Sequence, residues 1–422
     1  MWRIPLCDLN YDENEERAVI EVLRSKWLTM GPRTEEFEAR ASEYLGVKHA
    51  VAMCNCTCAL ETAYAIAKRR RGWSAGASPV RRGAPLIAVP DLTFAATVNA
   101  ALAVGARPAL TDIDELDSPL ISPGRAAEIL ARERGDKLAV VIVHYAGFDC
   151  HSDEFARLAA EHDVMLIEDA AHGMGAWARS GRRLGATGQI GCFSFFSNKN
   201  LATGEGGMLV TSDDDIATEA RLIRSHGMTS LTYDRYRRRS TGYDITAPGH
   251  NYRCSEITAA LGIEQLRKLD RANAARRRLY KIYRHYLEGA PGVILPFSRS
   301  DETIDIGACH ILPIVCRGGA MRDAVRKALG VANIQTSHHY PPVHTFSWYR
   351  RFLGEMLGDL TIPEGSALGD DFPPPESLRA PSLRWPVSLH YAAREITLPL
   401  YPALRQADVE EICSIVRRVA EN

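Results

Sequence analysis

From about residue 48 to residue 227, short apolar runs alternate with longer amphipathic stretches. The runs Pro85 to Pro90, Arg107 to Asp114, Leu138 to Tyr145 and Val164 to Asp169 are rich in Val, Ile and Leu. Between them, Thr57 to Arg70, Thr93 to Val104, Gly124 to Arg134 and Ser152 to His162 carry helical spacing. Apolar strands alternating with helices predict an α/β unit whose mainly parallel sheet is covered on both faces. Ligands of such sheets sit beyond the carboxyl ends of the strands. After about residue 245 the rhythm changes. Ser255 to Leu287 reads as one long helix, His310 to Val315 and Arg394 to Pro399 as short strands, and Ala407 to Val419 as a closing amphipathic helix. The pattern predicts a large α/β domain over residues 1–245 and a smaller α+β domain over 246–422. Gly72 to Gly83, rich in Gly, Ser and Arg, and Gly354 to Leu383, with five prolines, read as inserted loops or lids.

Composition narrows the class. The 422 residues are 46% hydrophobic and 24% charged, an ordinary globular balance with length for two or three domains. Lys+Arg is 51 and Asp+Glu is 52, so a net charge of −1 gives no general field for nucleic acid or an anionic membrane. The basic group Lys68 to Arg71 with Arg81 and Arg82 reads as a solvated helix end and loop. No run reaches the roughly 18 apolar residues of a membrane span. Met1 to Arg17 carries five acidic residues and no apolar block, unlike a secretory signal. The expectation is a cytoplasmic protein whose ten cysteines are free thiols. Cys54, Cys56 and Cys58 lack the second cysteine or histidine pair of a zinc site, so no metal is expected.

Two segments carry chemistry. The strand Val164 to Asp169 ends in Glu168 and Asp169, placed to meet a ligand, with a helix N-cap as the alternative for Asp169. Downstream, Phe193 to Gly207 sets Lys199 after an aromatic strand and before a Gly-rich turn. A desolvated lysine amine is the species that forms a Schiff base, although an exposed loop lysine is the commoner case. A lysine for an aldehyde and an acid for a pyridine nitrogen are the two needs of pyridoxal phosphate. A phosphate cradle is offered by Asn55 to Leu60, where the strand Ala50 to Met53 turns into a helix and free N–H groups favour an anion. Phe94, just after the strand ending at Pro90, is the candidate for the ring face, with core packing as the alternative.

These segments, in their order and spacing, resemble the DegT/DnrJ/EryC1/StrS family of sugar aminotransferases. The resemblance covers nearly the whole chain. It begins with Leu28 to Glu38 and Tyr44 to Ala50, and continues through Val89 to Thr97, Glu168 to His172 and Ser194 to Gly207. His226 to Met228, Asn251 to Glu256, His339 to His344 and Leu398 to Tyr401 complete it. It implies the fold type I of pyridoxal 5'-phosphate enzymes: a large domain with a mainly parallel seven-stranded sheet, and a smaller C-terminal α+β domain. By this resemblance Lys199 holds the cofactor as a Schiff base and then shuttles the proton. Asp169 pairs with the pyridinium. Phe94 stacks on one ring face and Ala171 touches the other, with His172 near the phenolic oxygen. Thr57, the Cys58 amide and Ser194 bind the phosphate, and Asn251 reaches it from the neighbouring subunit of a homodimer with shared active sites.

One departure stands out. The family's phosphate turn usually reads Gly-Thr, whereas this chain has Cys56-Thr57. Cysteine lacks glycine's freedom at positive φ, so either the turn is right-handed here or the cradle is rearranged. Relatives that deoxygenate sugars carry histidine at the lysine position, and Lys199 therefore points to transamination. The expected reaction moves an amino group from glutamate or glutamine to a keto-sugar, nucleotide-linked, or to a keto-cyclitol. The alternatives are another reaction on the same cofactor, such as dehydration or carbon–carbon bond formation, and a regulator that binds nucleic acid. His226, His310, His338, His339 and Tyr340 are candidates for the pocket wall, with packing or surface placement as the alternative.

Overall fold

The computed structural model describes residues 2–73, 80, 83–357 and 385–421, with side chains to residue 352 and from 385 onward. Seven strands form the first sheet: β1 (His49–Met53), β2 (Leu86–Pro90), β3 (Arg107–Thr111), β4 (Lys137–Val143), β5 (Met165–Asp169), β6 (Ile190–Ser194) and β7 (Gly207–Thr211). Their order is β1-β7-β6-β5-β4-β2-β3. All neighbours are parallel except β7, which runs antiparallel to both β1 and β6. Side chains alternate between the two faces of a strand, and β2 shows the result. Leu86 and Ala88 join the core that reaches Tyr280 and Ile314, while Ile87 and Val89 join another with Leu60 and Tyr64. Both faces are covered, which is why the strands read as continuous apolar runs.

The helices follow their local chemistry. In α1 (Glu13–Ser25), Asp12 caps the first turn and Glu15 returns the bond to the Asp12 amide. Pro32 opens α2 (Pro32–Leu45), and Gly46 closes it at φ 69°, where a side chain would be strained. Asn55 caps α3 (Cys56–Arg70), whose buried stripe includes Ala59, Leu60, Ala63 and Tyr64. The helix α4 (Ala95–Ala103) begins two residues later than the spacing predicts, because Asp91 to Phe94 form the turn out of β2. The long helix Glu256–Leu287 is continuous over 32 residues, about 48 Å at 1.5 Å per residue.

A second, antiparallel sheet has the order β10-β9-β8, with β8 (Val293–Ile294), β9 (Leu312–Cys316) and β10 (Glu395–Leu398). The long helix packs on it through Tyr280 and Tyr283, and Arg276 Nη1 donates to the carbonyls of His310 and Leu400. The closing helix spans Gln406–Glu421. Of the two predicted insertions, the first begins with the Gly72 amide bonded to the Arg69 carbonyl and Trp73 Nε1 bonded to Asp136, and residues 354–357 continue the helix Ser347–Leu357 instead of forming a loop. Residues 74–79, 81, 82 and 358–383 of these segments lie outside the described residues. No helix among the described residues is long and apolar enough to cross a membrane.

Glu256 fastens the start of α2 to the long helix. Its buried carboxylate accepts from the amides of Gly31, Arg33 and Thr34 and from Thr34 Oγ1, all within 2.9 Å. Glu256→Gln turns one acceptor into an NH2 facing donors. With bonds to a charged acceptor worth about 1.5–3 kcal/mol each, the variant is expected to lose roughly 2–3 kcal/mol. A denaturant titration of both proteins checks this through the midpoint.

Candidate active site

The carboxyl edge of the first sheet gathers most of the candidate residues. Asp169 ends β5, Ser194 ends β6 and Met53 ends β1, while Gly207 opens β7 at the same level, opposite both Ser194 and Met53. Beyond β1 the chain turns at Asn55 into α3. A Cβ on Gly207 would lie 2.2–2.5 Å from the backbone of Asn55 and Cys56. Only glycine lets β7 approach the turn this closely.

That turn settles the question raised by Cys56. Asn55 is extended at φ −166°, and Cys56 is the first residue of α3, with no positive φ. The turn is therefore right-handed, and the Cys56 side chain is buried. The Cys58 amide differs from expectation. It donates to Asn55 Oδ1 at 2.9 Å, the ordinary N-cap bond, so it is engaged within the chain. The amides of Cys56 and Thr57 precede it in the first turn, where helix geometry supplies no acceptor. With the part-exposed hydroxyls of Thr57 and Ser194 they make a donor set suited to a phosphate.

Side-chain alternation on β5 separates its two terminal acids. Glu168 turns away from the edge and accepts from the amides of Gly185, Thr187 and Gly188 at 2.8, 2.6 and 2.6 Å, and meets His144 Nε2 at 2.8 Å. Burial pushes its carboxyl up, but these partners outweigh burial and leave it below the ordinary value. It is a structural clamp. Asp169, 5% exposed, faces the site and accepts from Thr97 Oγ1 at 2.7 Å and the Ala171 amide at 3.2 Å. Burial pushes its carboxyl above the ordinary value, against the pull of Thr97, the Ala171 amide and Lys199. A buried acid with so few donors favours a cationic partner. Thr97 itself meets Thr93 Oγ1 at 2.9 Å. Sequence reasoning missed both threonines, whose i, i+4 spacing at the start of α4 was the available signal.

Lys199 follows β6, half-buried and electrostatically coupled to Asp169 and Cys56. Desolvation brings its amine down to about 8, with Asp169 and Cys56 opposing the shift. Behind it, Asn200 is bolted in place. Its Nδ2 donates to Asn273 Oδ1 and the Ala308 carbonyl, both at 2.8 Å, and its Oδ1 lies 2.9 Å from His310 Nδ1. Asn200, also missed by sequence reasoning, hands the position of Lys199 to the long helix.

His172 is buried, and its Nδ1 accepts from the Ala146 amide at 3.2 Å. Burial, then Lys199 and His339, hold it well below the ordinary imidazole value. The ring is therefore neutral with its proton on Nε2, which donates to Tyr340 Oη at 3.1 Å. The Tyr340 hydroxyl proton is left to point elsewhere. The segment carrying Tyr340 is held at both ends. Tyr145 Oη donates to the His339 carbonyl, the His339 amide donates to buried Glu395 at 2.9 Å, and His344 Nδ1 lies 2.7 Å from Asp91. Phe94 is 63% exposed, its ring centroid 6.0 Å from that of Tyr340. Core packing would have buried it. Ala171 is half-buried beside Asp169.

Asn251 stands apart from this cluster. It is exposed and joined by a backbone bridge to Ser225. Of the histidines named as pocket candidates, His310 and His339 are buried around His172 and Tyr340, and His338 is half-buried. His226 is exposed, in a turn at φ 60°.

The lysine environment predicts its reactivity. In cofactor-stripped protein, reductive methylation of Lys199, followed peptide by peptide in a mass spectrometer, is expected to be half-maximal near pH 8. Asp169→Asn removes a charge that favours the ammonium, so the midpoint should fall further. A midpoint in the ordinary lysine range would contradict the desolvation described above.

Comparison with known proteins places the geometry in a family. Residues 10–364 match the model of the DegT/DnrJ/EryC1/StrS aminotransferase family. The chain is similar to the spore coat polysaccharide biosynthesis protein SpsC of Bacillus subtilis, 31% identical over 97% of this chain and 95% of that protein. Its fold is similar to that of Helicobacter pylori PseC, an aminotransferase involved in the biosynthesis of pseudoaminic acid. That match has a TM-score of 0.79 at 26% identity and covers 97% of each chain. It is also similar to DesI, solved in the presence of its TDP-sugar product, with a TM-score of 0.75 at 27% identity over 96% of this chain and 90% of that one. The chain belongs to the DegT/DnrJ/EryC1/StrS aminotransferase family, whose enzymes depend on pyridoxal phosphate.

Proposed function

We propose that this aminotransferase moves an amino group from glutamate or glutamine to a keto-sugar, nucleotide-linked, or to a keto-cyclitol, with pyridoxal 5'-phosphate held at the carboxyl edge of the first sheet. The observation that carries the reading is the pair Lys199 and Asp169: an amine brought down to about 8, coupled to a buried acid short of donors. Pyridoxal phosphate, when bound, supplies an aldehyde for the amine and a ring that accepts the electrons released at the substrate α-carbon.

The remaining work falls to the chain. Lys199 Nζ, neutral in an appreciable fraction near pH 8, is the base that takes the donor's α-proton and later returns a proton to the acceptor carbon. Asp169, oriented by Thr97 and the Ala171 amide, holds a proton on the ring nitrogen. Phe94 offers an exposed flat face for the ring and Ala171 a small one. His172 is fixed as a neutral donor towards Tyr340. Thr57, Ser194 and the amides of Cys56 and Thr57 hold the phosphate.

The keto-sugar class is supported by the similar proteins, named for polysaccharide, pseudoaminic acid and TDP-sugar chemistry. Exposed Asn251, without a side-chain partner among the described residues, suits a contact with a second copy, in a homodimer with shared active sites. The reading keeps the cofactor on residues 1–245, with residues 246–422 closing the substrate side, and places the enzyme in the cytoplasm.

Visible absorption of the purified protein tests the reading. The protein reconstituted with pyridoxal phosphate should be yellow, and glutamate or glutamine should bleach it with release of the oxo acid. Lys199→Ala should slow this conversion by at least about 10²-fold, the scale of a lost general acid–base group. A colourless protein that cannot be loaded, or one that no amino donor bleaches, would overturn it.

A further inference from the structure

The one Sγ–Sγ contact within hydrogen-bond range among the described residues lies on the phosphate turn. Cys54 and Cys58 have their sulfurs 3.4 Å apart, and both residues are partly exposed. Between them lie the N-cap Asn55 and the first two residues of α3. We propose that Cys54 and Cys58 are a thiol–disulfide modification site, oxidised by low-molecular-weight disulfides, and that their disulfide weakens the anion cradle they enclose.

Several observations support this assignment. A disulfide needs its sulfurs about 2.05 Å apart, so closure moves them by little more than an ångström. Cys54 is set apart from the other thiols. The hydrogen bond between the two thiols pulls Cys54 below the ordinary thiol value, against burial, and pushes Cys58 up. Cys54 is therefore the attacking thiolate and Cys58 the resolving thiol. Cys56, between them in sequence, is buried and held protonated by that burial, which removes it from the exchange. Cys150, Cys192, Cys254, Cys309, Cys316 and Cys413 are buried, and Cys7 is exposed with no sulfur within reach.

The chemistry balances without any further reagent. Cys54 Sγ attacks one sulfur of a small disulfide such as oxidised glutathione, whose S–S bond breaks and releases one thiol. Cys58 then gives its proton to solvent and attacks Cys54 Sγ, expelling the second thiol. The two protein thiols lose two electrons, and the small disulfide gains them. Closing the ring displaces Cys58, whose amide holds the Asn55 cap at 2.9 Å, and so shifts the Cys56 and Thr57 amides. The effect on the cofactor rests on the function proposed above, whereas the disulfide itself does not.

The test incubates the holoenzyme with excess oxidised glutathione, alkylates the remaining thiols and weighs the peptide that contains residues 54–58. The expected product has lost two hydrogens, escapes alkylation at Cys54 and Cys58, and is restored by dithiothreitol. In Cys58→Ser the reaction should stop at a glutathione adduct on Cys54, and Cys54→Ser should give neither product. Pyridoxal phosphate retained after dialysis should fall about five-fold in the oxidised protein, the scale of one hydrogen bond. Unchanged thiols, or a persistent glutathione adduct in the wild type, would overturn the site. A disulfide with unchanged retention would overturn its effect on the cradle. A disulfide in a protein that holds no cofactor even when reduced would confirm the site and instead overturn the proposed function.

Discussion

The strict two-residue alternation of side chains on β5 is the constraint on which the site rests. It sends two adjacent carboxylates to opposite sides of the sheet and gives them opposite environments. Glu168 is saturated by three amides and His144, and spends its charge on holding residues 185–188. Asp169 receives two donors and the pull of Lys199, which together do not offset its burial. Slipping the strand by one residue would exchange the two roles. The register is pinned on both flanks, by Ile142 and Val143 on β4 and by Gly191 and Cys192 on β6.

Around that fixed acid, desolvation supplies most of the tuning. It lowers the Lys199 amine and the His172 ring, and raises Asp169. Each shift moves its group towards neutrality, so the unloaded site carries weak charges close together. A ligand bearing both a cationic ring and an anionic tail suits such a site, because it restores the charges that the protein has suppressed. The hydrogen bonds then determine orientation. The Ala146 amide selects the His172 tautomer, and Asn200 sets the direction from which Lys199 enters.

Much of this was legible in the sequence wherever the signal is local. Buried strands showed as apolar runs, and their bounds agree with the structure to within a few residues. Asp169 ends such a run, and Lys199 and Phe94 follow one within five residues, which is why the sequence singled them out as candidates. What depends on distant partners was not visible. Glu168 meets amides 17 to 20 residues away, and His172 meets Tyr340 across 168 residues. The antiparallel direction of β7 leaves no mark in its five buried residues. The helix α1 buries only Glu15, Ala18 and Val22, too thin a stripe to read beside its many charges. The Cys58 amide was misplaced because the capping role of Asn55 was not weighed against an outside anion.

The close approach of β7 to the turn that opens α3 bears on how such a sequence can drift. Position 56 begins a right-handed turn and sends its side chain into the core, so a residue other than glycine fits there. Position 207 has no such latitude, since the carbonyl carbon of Asn55 would lie 2.2 Å from any added Cβ. The backbones at the two sites lie directly against one another. A substitution at the turn is therefore tolerated only while the opposing glycine stays, so the pair can change from one side alone.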